Sequence, residues 1–275
     1  MKFGTHVSIA GGVFNAPERA AAVGCETFQM FTRSPRGGAA PKLTSDIIAQ
    51  FKKNCATFSF SKCYVHAPYY VNLASDNTTI AKSSMSIIKE ELQRCSLLGV
   101  TAMMMHVGSA REQDRNQALA KAIVGLKEIV KNYKGSTKFL LEISAGSGNV
   151  IGDTFEEVAT LLKALPAKVG VCFDTAHAFA SGYDLRTPKA VQTTFKKFDT
   201  VIGLKRLALV HGNDSRVDFN SHVDRHWHIG KGKIGREGFK AIINHPKLKN
   251  VDMILETPEA EMDTVNLGVV KKLRG

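Results

Sequence analysis

The stretch from Val223 to Gly235 reads Val-Asp-Arg-His-Trp-His-Ile-Gly-Lys-Gly-Lys-Ile-Gly and concentrates residue types that do chemistry. Asp224, His226 and His228 alternate, so an extended segment would place all three side chains on one side. A carboxylate oxygen and imidazole nitrogens arranged in this way can converge on a divalent cation, and the same letters also fit a polar loop with a satisfied histidine. Gly230, Gly232 and Gly235, with Glu256 further on, spell the glycine pattern of a dinucleotide site. That fingerprint requires an apolar strand immediately before it, and Asp-Arg-His-Trp-His is not one. The metal reading therefore depends on what the rest of the chain supplies.

Apolar runs supply it. Strands are expected at Lys2–Ile9, Cys25–Thr32, Lys62–His66, Val100–His106, Lys138–Ser144, Lys168–Asp174, Leu204–His211 and Val251–Glu256. Between them lie helical patterns with recognisable ends. Asn15 is expected to cap the first helix, with Pro17 in its first turn and Gly24 past its end. Thr44 opens the second, and Ile80, Ile87, Ile88, Leu92, Cys95 and Leu98 recur at helical spacing up to Gly99. A helix spans roughly Gln113–Tyr133, Thr154-Phe-Glu-Glu157 reads as a capping box, and Thr187-Pro188 starts another helix. A short helix around Gly238–Asn244 and a last one ending at Leu273 complete the series. Eight strands alternating with helices in one chain predict a single α/β domain over residues 1–275, a (β/α)8 TIM barrel.

In such a barrel the active site lies at the C-terminal ends of the strands. The third strand ends in His66, the fourth in His106, the sixth in Asp174, the seventh in His211 and the eighth in Glu256, and Glu142 stands near the end of the fifth. His177 follows three residues after Asp174, and Asp224 with His226 overhangs from the seventh loop. Any one of these residues has an ordinary alternative as a helix cap or core histidine. The set as a whole, five imidazoles and four carboxylates, suits zinc better than magnesium. It is too large for one zinc and about right for three with shared ligands. Glu142 would stand at a solvent-facing strand end.

Composition sets the class. At 275 residues, 44% apolar and 23% charged, the chain has the make-up of a soluble globular protein with a full core. The opening Met-Lys-Phe-Gly-Thr-His lacks the apolar run of a signal peptide, and no stretch approaches the length of a membrane span. Five scattered cysteines, none in a Cys-x-x-Cys pair, read as reduced core residues of a cytoplasmic protein. The formal charge of +12 points to a polyanionic partner. Arg33, Arg36, Arg216, Arg225, Lys231 and Lys233 fall in loops on the metal face, where a basic rim would track phosphates.

These motifs resemble the endonuclease IV family of zinc-dependent apurinic/apyrimidinic (AP) endonucleases. The resemblance rests on Gly4-Thr-His-Val-Ser-Ile-Ala-Gly-Gly12, His66-Ala-Pro-Tyr69, His106-Val-Gly-Ser109, Glu142-Ile-Ser-Ala-Gly146 and Phe173-Asp-Thr-Ala-His177. His211-Gly-Asn-Asp214, Val223-Asp-Arg-His226 and Ile254-Leu-Glu-Thr-Pro258 extend it to nearly the whole chain. It implies three zinc ions, the first on His66, His106 and Glu142, and the second on Glu142, Asp174, His211 and Glu256. The third would lie on His177, Asp224 and His226. A hydroxide bridging the first pair would attack the phosphodiester 5′ to an abasic site in duplex DNA, leaving a 3′-hydroxyl and a 5′-deoxyribose phosphate. Arg36 matches an arginine that family members push into DNA at the lesion, and Tyr69 and Tyr70 are expected to wedge into the stack. Arg225, Lys231 and Lys233 are expected to contact the backbone.

Three features depart from the family pattern: Ile143-Ser144 stands where Asn-Thr is frequent, Gly37-Gly38 stands where bulkier residues are frequent, and Tyr70 stands where an aliphatic residue is frequent. His6, His222 and His228 lie near the site without an expected ligand role, and His245 reads as surface. The resemblance further implies a monomer with no membrane association. Competing readings are a sugar isomerase or epimerase on a related barrel and a non-catalytic DNA-binding module.

Overall fold

The structure, a computed structural model, describes residues 1–275. Eight strands form one parallel sheet. They are β1 (Phe3–Thr5), β2 (Phe28–Met30), β3 (Cys63–His66), β4 (Ala102–Met105), β5 (Lys138–Glu142), β6 (Gly170–Asp174), β7 (Leu207–His211) and, after two short strands, β10 (Asp252–Leu255). The ladder runs β1-β10-β7-β6-β5-β4-β3-β2, and an isolated parallel bridge between His6 and Gln29 closes it into a ring. Helices α1 (Ala16–Ala22), α2 (Ser45–Thr57), α3 (Thr78–Leu98), α4 (Arg115–Val130), α5 (Phe155–Lys163), α6 (Thr175–Ala180), α7 (Pro188–Val201), α8 (Gly235–Ile243) and α9 (Asp263–Leu273) fill the connections. The chain is therefore the expected (β/α)8 barrel, with shorter strands than the apolar runs suggested. The added pair, β8 (Asp214–Ser215) and β9 (His226–Trp227), is antiparallel and sits in the seventh connection.

Strand periodicity sorts the core into two layers. Val65, Met103, Met105, Leu141, Val171, Phe173, Val210, Met253 and Leu255 point outward into the large core shared with the helices. Their alternates Tyr64, Ala102, Met104, Leu140, Cys172, Leu209 and Ile254 point inward and plug the lumen. Each buried aliphatic side chain of this kind contributes about 1.5–3 kcal/mol. A strand buried on both faces reads as an unbroken apolar run, which is why these segments are legible in the sequence.

Some local expectations need correction. Asn15 caps nothing: a 3-10 turn, Val13–Asn15, precedes α1, and the Asn15 amide donates to the Ala10 carbonyl. Only half of the capping box forms. Thr154 accepts from the Glu157 N–H, whereas the Glu157 carboxylate accepts from Gly152 N and Arg115. Ile80, expected on the buried stripe of α3, is exposed. No helix is long and apolar enough to cross a membrane.

Candidate metal centre

Two residues beyond the apolar plug, the same inward parity brings a layer of ionisable side chains to the C-terminal mouth. Glu142, on β5, lies at its centre. Its Oε2 is 2.9 Å from His66 Nε2 and 3.7 Å from His106 Nε2, and its Oε1 is 2.8 Å from His211 Nδ1. One carboxylate thus faces two groups of donors with its two oxygens. His66, His106 and Glu142 form the first group, and Glu142, Asp174, His211 and Glu256 form the second. Glu142 is only 1% exposed, which corrects its expected solvent-facing position. Burial opposes its charge, but the neighbouring His211 and His106 hold the carboxyl well below the usual carboxylate range. Burial in turn pushes His106 down to about 4.

A third group collects beside these. His177 is on α6, Asp224 on the loop before β9, and His226 on β9 itself. His177 Nε2 and His226 Nε2 are 3.2 Å apart, and each is 3.3 Å from Asp224 Oδ1. Partial burial opposes the Asp224 charge, but the hydrogen bond and charge of His177, with His226, lower its carboxyl to about 2. Asp174 connects the groups. Its Oδ1 caps α6 by accepting from His177 N, while its Oδ2 accepts from Asn213 Nδ2 and lies 3.7 Å from His226 Nε2. The capping role and a place in the cluster coexist in one side chain.

The donors are oriented as ligands would be. His66 Nδ1 lies against Ala67 O, His177 Nδ1 against Ile143 O, and His226 Nδ1 against Glu256 O, which leaves each Nε2 aimed into its cluster. His211 is turned the other way: Nε2 meets Gln29 Oε1 at 2.8 Å, and Nδ1 faces the carboxylates. A carbonyl or amide on the far ring nitrogen is the usual support of a metal-binding histidine. Three mutually close carboxylates (Glu142, Asp174 and Glu256) also call for cationic charge. The nitrogen and oxygen donor set fits zinc. A fourth possible group includes Cys172, but burial pushes that thiol up to about 12 and keeps it protonated.

Elsewhere the alternating motif behaves differently from expectation. Asp224 and His226 converge, but His228 turns away into a buried contact with Asn266 and lies 3.4 Å from Glu259. The three glycines serve Asp214, a fully buried carboxylate that accepts from the backbone N–H groups of Gly230, Gly232, Ile234 and Gly235. They cradle a side chain of the protein rather than a phosphate. His245 is half-buried against Phe195 instead of lying free on the surface.

Arg36, Arg216, Arg225, Lys231 and Lys233 are exposed on the mouth loops, and Tyr69 and Tyr70 are 60% and 37% exposed. Arg33 is the exception to the expected rim: at 3% exposure it pairs with Glu91 and Glu90. Sequence reasoning also missed Gln29, Asp214 and Ser147. Gln29 Nε2 donates to Glu256 Oε1 at 2.6 Å while its Oε1 meets His211. Its one sequence signal was a polar residue inside an apolar strand, one position before the end of β2.

The family described as "Xylose isomerase-like TIM barrel" matches residues 17–272. A protein of Methanosphaerula palustris named "Probable endonuclease 4" is 39% identical, with 99% of this chain and 98% of that protein aligned. Among solved structures, endonuclease IV from Thermus thermophilus superposes with a TM-score of 0.88 at 34% identity, covering 99% of this chain and 98% of that one. A D-tagatose 3-epimerase-like protein superposes with a TM-score of 0.74 at 20% identity, covering 99% and 97%, a likeness of fold. With full-length identity to the former relatives and a donor array on the same strand ends that carry the sequence motifs, the chain belongs to the endonuclease IV family of xylose isomerase-like TIM barrels.

Proposed function

We propose that this protein is a DNA-repair AP endonuclease that uses three zinc ions to hydrolyse the phosphodiester 5′ to an abasic site in duplex DNA. One observation carries the reading: Glu142 offers one oxygen to each of two donor groups, with a third group sharing Asp174 beside them. His66, His106 and Glu142 would hold the first ion, Glu142, Asp174, His211 and Glu256 the second, and His177, Asp224 and His226 the third. When bound, zinc supplies Lewis acidity to the phosphate oxygens and makes hydroxide available at neutral pH.

The chain's own residues do the rest. Glu142 presents one oxygen to each of the first two donor groups and would hold an ion in both, and Asp174 ties the second group to the third. A cleft of about 450 Å³ opens beside His106, His177 and Asp224, with Tyr69, Tyr70 and Ser144 in its wall. Exposed Tyr69 and Tyr70 at its edge, with Arg36 on the neighbouring loop, are placed to fill the gap left by a missing base. Arg225, Lys231 and Lys233 would track the phosphates, helped by the net charge of +12. The products would be a 3′-hydroxyl and a 5′-deoxyribose phosphate.

The test is a labelled duplex carrying one tetrahydrofuran abasic analogue, incubated with zinc-replete protein and again after exhaustive chelation. Incision directly 5′ to the analogue, lost on chelation and restored by zinc, is the expected result. An uncut duplex, or incision unaffected by chelation, refutes the reading. Turnover of a free ketohexose without DNA would instead assign the site to sugar chemistry.

A further inference from the structure

Arg33 was expected on the DNA-facing rim, and the reason it is not there leads to a role for α3. The loop of residues 33–41 follows β2 at the C-terminal mouth and carries Arg36. Inside the loop there is little to stiffen it: Gly37 and Gly38 have φ of 119° and 93° with open space around them. Its two ends, in contrast, meet a buried group of charges. Arg94 donates through Nη2 to the Thr32 carbonyl and through Nη1 to the Pro41 carbonyl, both at 2.7 Å, so one guanidinium spans both feet of the loop. Glu91 Oε1 accepts from Arg33 Nε at 2.8 Å, and Glu91 Oε2 accepts from Thr32 Oγ1 at 2.6 Å. Arg33 Nη2 reaches Glu90 Oε2 at 2.6 Å. Glu91, Arg33 and Arg94 are 0%, 3% and 7% exposed.

Burying such charges contributes less to stability than apolar packing of the same volume would, while removing one partner is costly. What the group specifies is direction. Two planar guanidiniums and one two-oxygen carboxylate fix the feet of the loop relative to α3, and Arg presents a rigid fork that Lys cannot reproduce. Burial opposes the charge on Arg33, but Glu90 and Glu91, with a contribution from the Tyr70 hydroxyl, raise its pKa above the usual range.

We propose that Glu91 and Arg94 are positioning residues for lesion recognition: from α3 they clamp both feet of the 33–41 loop and thereby aim Arg36. The proposal rests on the reading of Arg36 as a DNA contact. Its test is Arg94→Lys, which keeps the charge opposite Glu91 but cannot span Thr32 and Pro41. On abasic duplex we expect KM to rise about tenfold, in line with the cost of small misplacements, with kcat within twofold and zinc content unchanged. In an Arg36→Ala background the same substitution should leave KM nearly unaltered, because the residue it aims is gone. Without DNA, trypsin should cut after Arg36 faster in Arg94→Lys than in wild type.

Full additivity of the two substitutions, or an unchanged KM, overturns the proposal. If Arg94→Lys does not fold, Thr32→Val removes the hydroxyl shared by Glu91 and Arg94 and should give a smaller rise in KM with the same non-additivity. Wild-type protein that leaves abasic duplex intact refutes the proposed function instead. The trypsin comparison still reports on the clamp in that case, and equal cleavage rates overturn it.

Discussion

Two of the three donor groups hang from strand ends, and the third is held largely by a loop. His66, Glu142, Asp174 and His211 are each 2% exposed or less. Their backbones are fixed by the parallel ladder, so their positions follow from the barrel itself. In the third group His177 is equally buried, but the Asp224 side chain is 49% exposed and its backbone belongs to no strand or helix. That loop is stitched down at a few points: Asn220 N donates to Phe179 O, His222 N to Ala180 O, and the Ser147 hydroxyl bridges to both His222 and Asp224. The barrel thus holds two donor groups on its strand ends and places part of the third on an exposed loop.

The largest effect should come from breaking the strand-end pair at its shared residue. Glu142→Gln keeps the shape but removes the charge that faces both His66 and His211. We expect kcat to fall at least about a thousandfold, bound zinc to fall by one ion or more, and far-ultraviolet circular dichroism to stay unchanged. Near-wild-type turnover would show that the bridge lies elsewhere.

Asp224→Asn tests the loop-held group alone. The strand-end groups remain intact, so bound zinc should fall from about three to about two, and kcat by about a hundredfold, the upper range seen when a metal's support is weakened. Loss of all the zinc would mean that the three groups are not separable, and the comparison would collapse. Chelation of the wild type sharpens the same point without a mutation. One zinc should leave in a fast phase, from the exposed group, before the other two, and a single phase for all the metal would contradict the ranking.

Legibility followed the same division. Strand-end donors could be read because an apolar run buried on both faces ends, at the mouth of the barrel, on an ionisable residue that stands out from the run. His66, Asp174 and His211 stand out against Val65, Phe173 and Val210 for that reason. His177 could be read from its helical spacing after Asp174. The loop was harder. Alternation predicted that Asp224, His226 and His228 would share a side, but β9 ends at Trp227, and the chain turns so that His228 meets Asn266. Arg33 was misread because Arg-Ser-Pro-Arg is loop composition, and nothing local reveals that Glu91 and Arg94, far along the chain on α3, reach its feet. Likewise the glycines after Ile229 could not name Asp214, since a backbone cradle does not record what it holds.

The smallest effect, and the most specific to the loop, belongs to Ser147. Its hydroxyl donates to the His222 carbonyl at 3.0 Å and accepts from the Asp224 N–H at 2.9 Å. It therefore fixes the backbone of a candidate ligand that lies outside every strand and helix. His222 sits at φ 52°, in the left-handed region, directly over Gly146, whose φ of 81° and missing Cβ let the loop come this close. Ser147→Ala deletes two hydrogen bonds while the backbone contacts to Phe179 and Ala180 remain. With roughly 0.5–1.5 kcal/mol per hydrogen bond, we expect affinity at the third site to fall about fivefold. At saturating zinc, kcat should match the wild type. At limiting free zinc, the variant should lose activity first and release its fast-phase ion sooner, with the two slower ions unaffected. A variant indistinguishable from wild type at limiting zinc would show that the backbone contacts alone hold Asp224. An equal weakening of all three ions would show that the loop and the strand ends form one coupled unit.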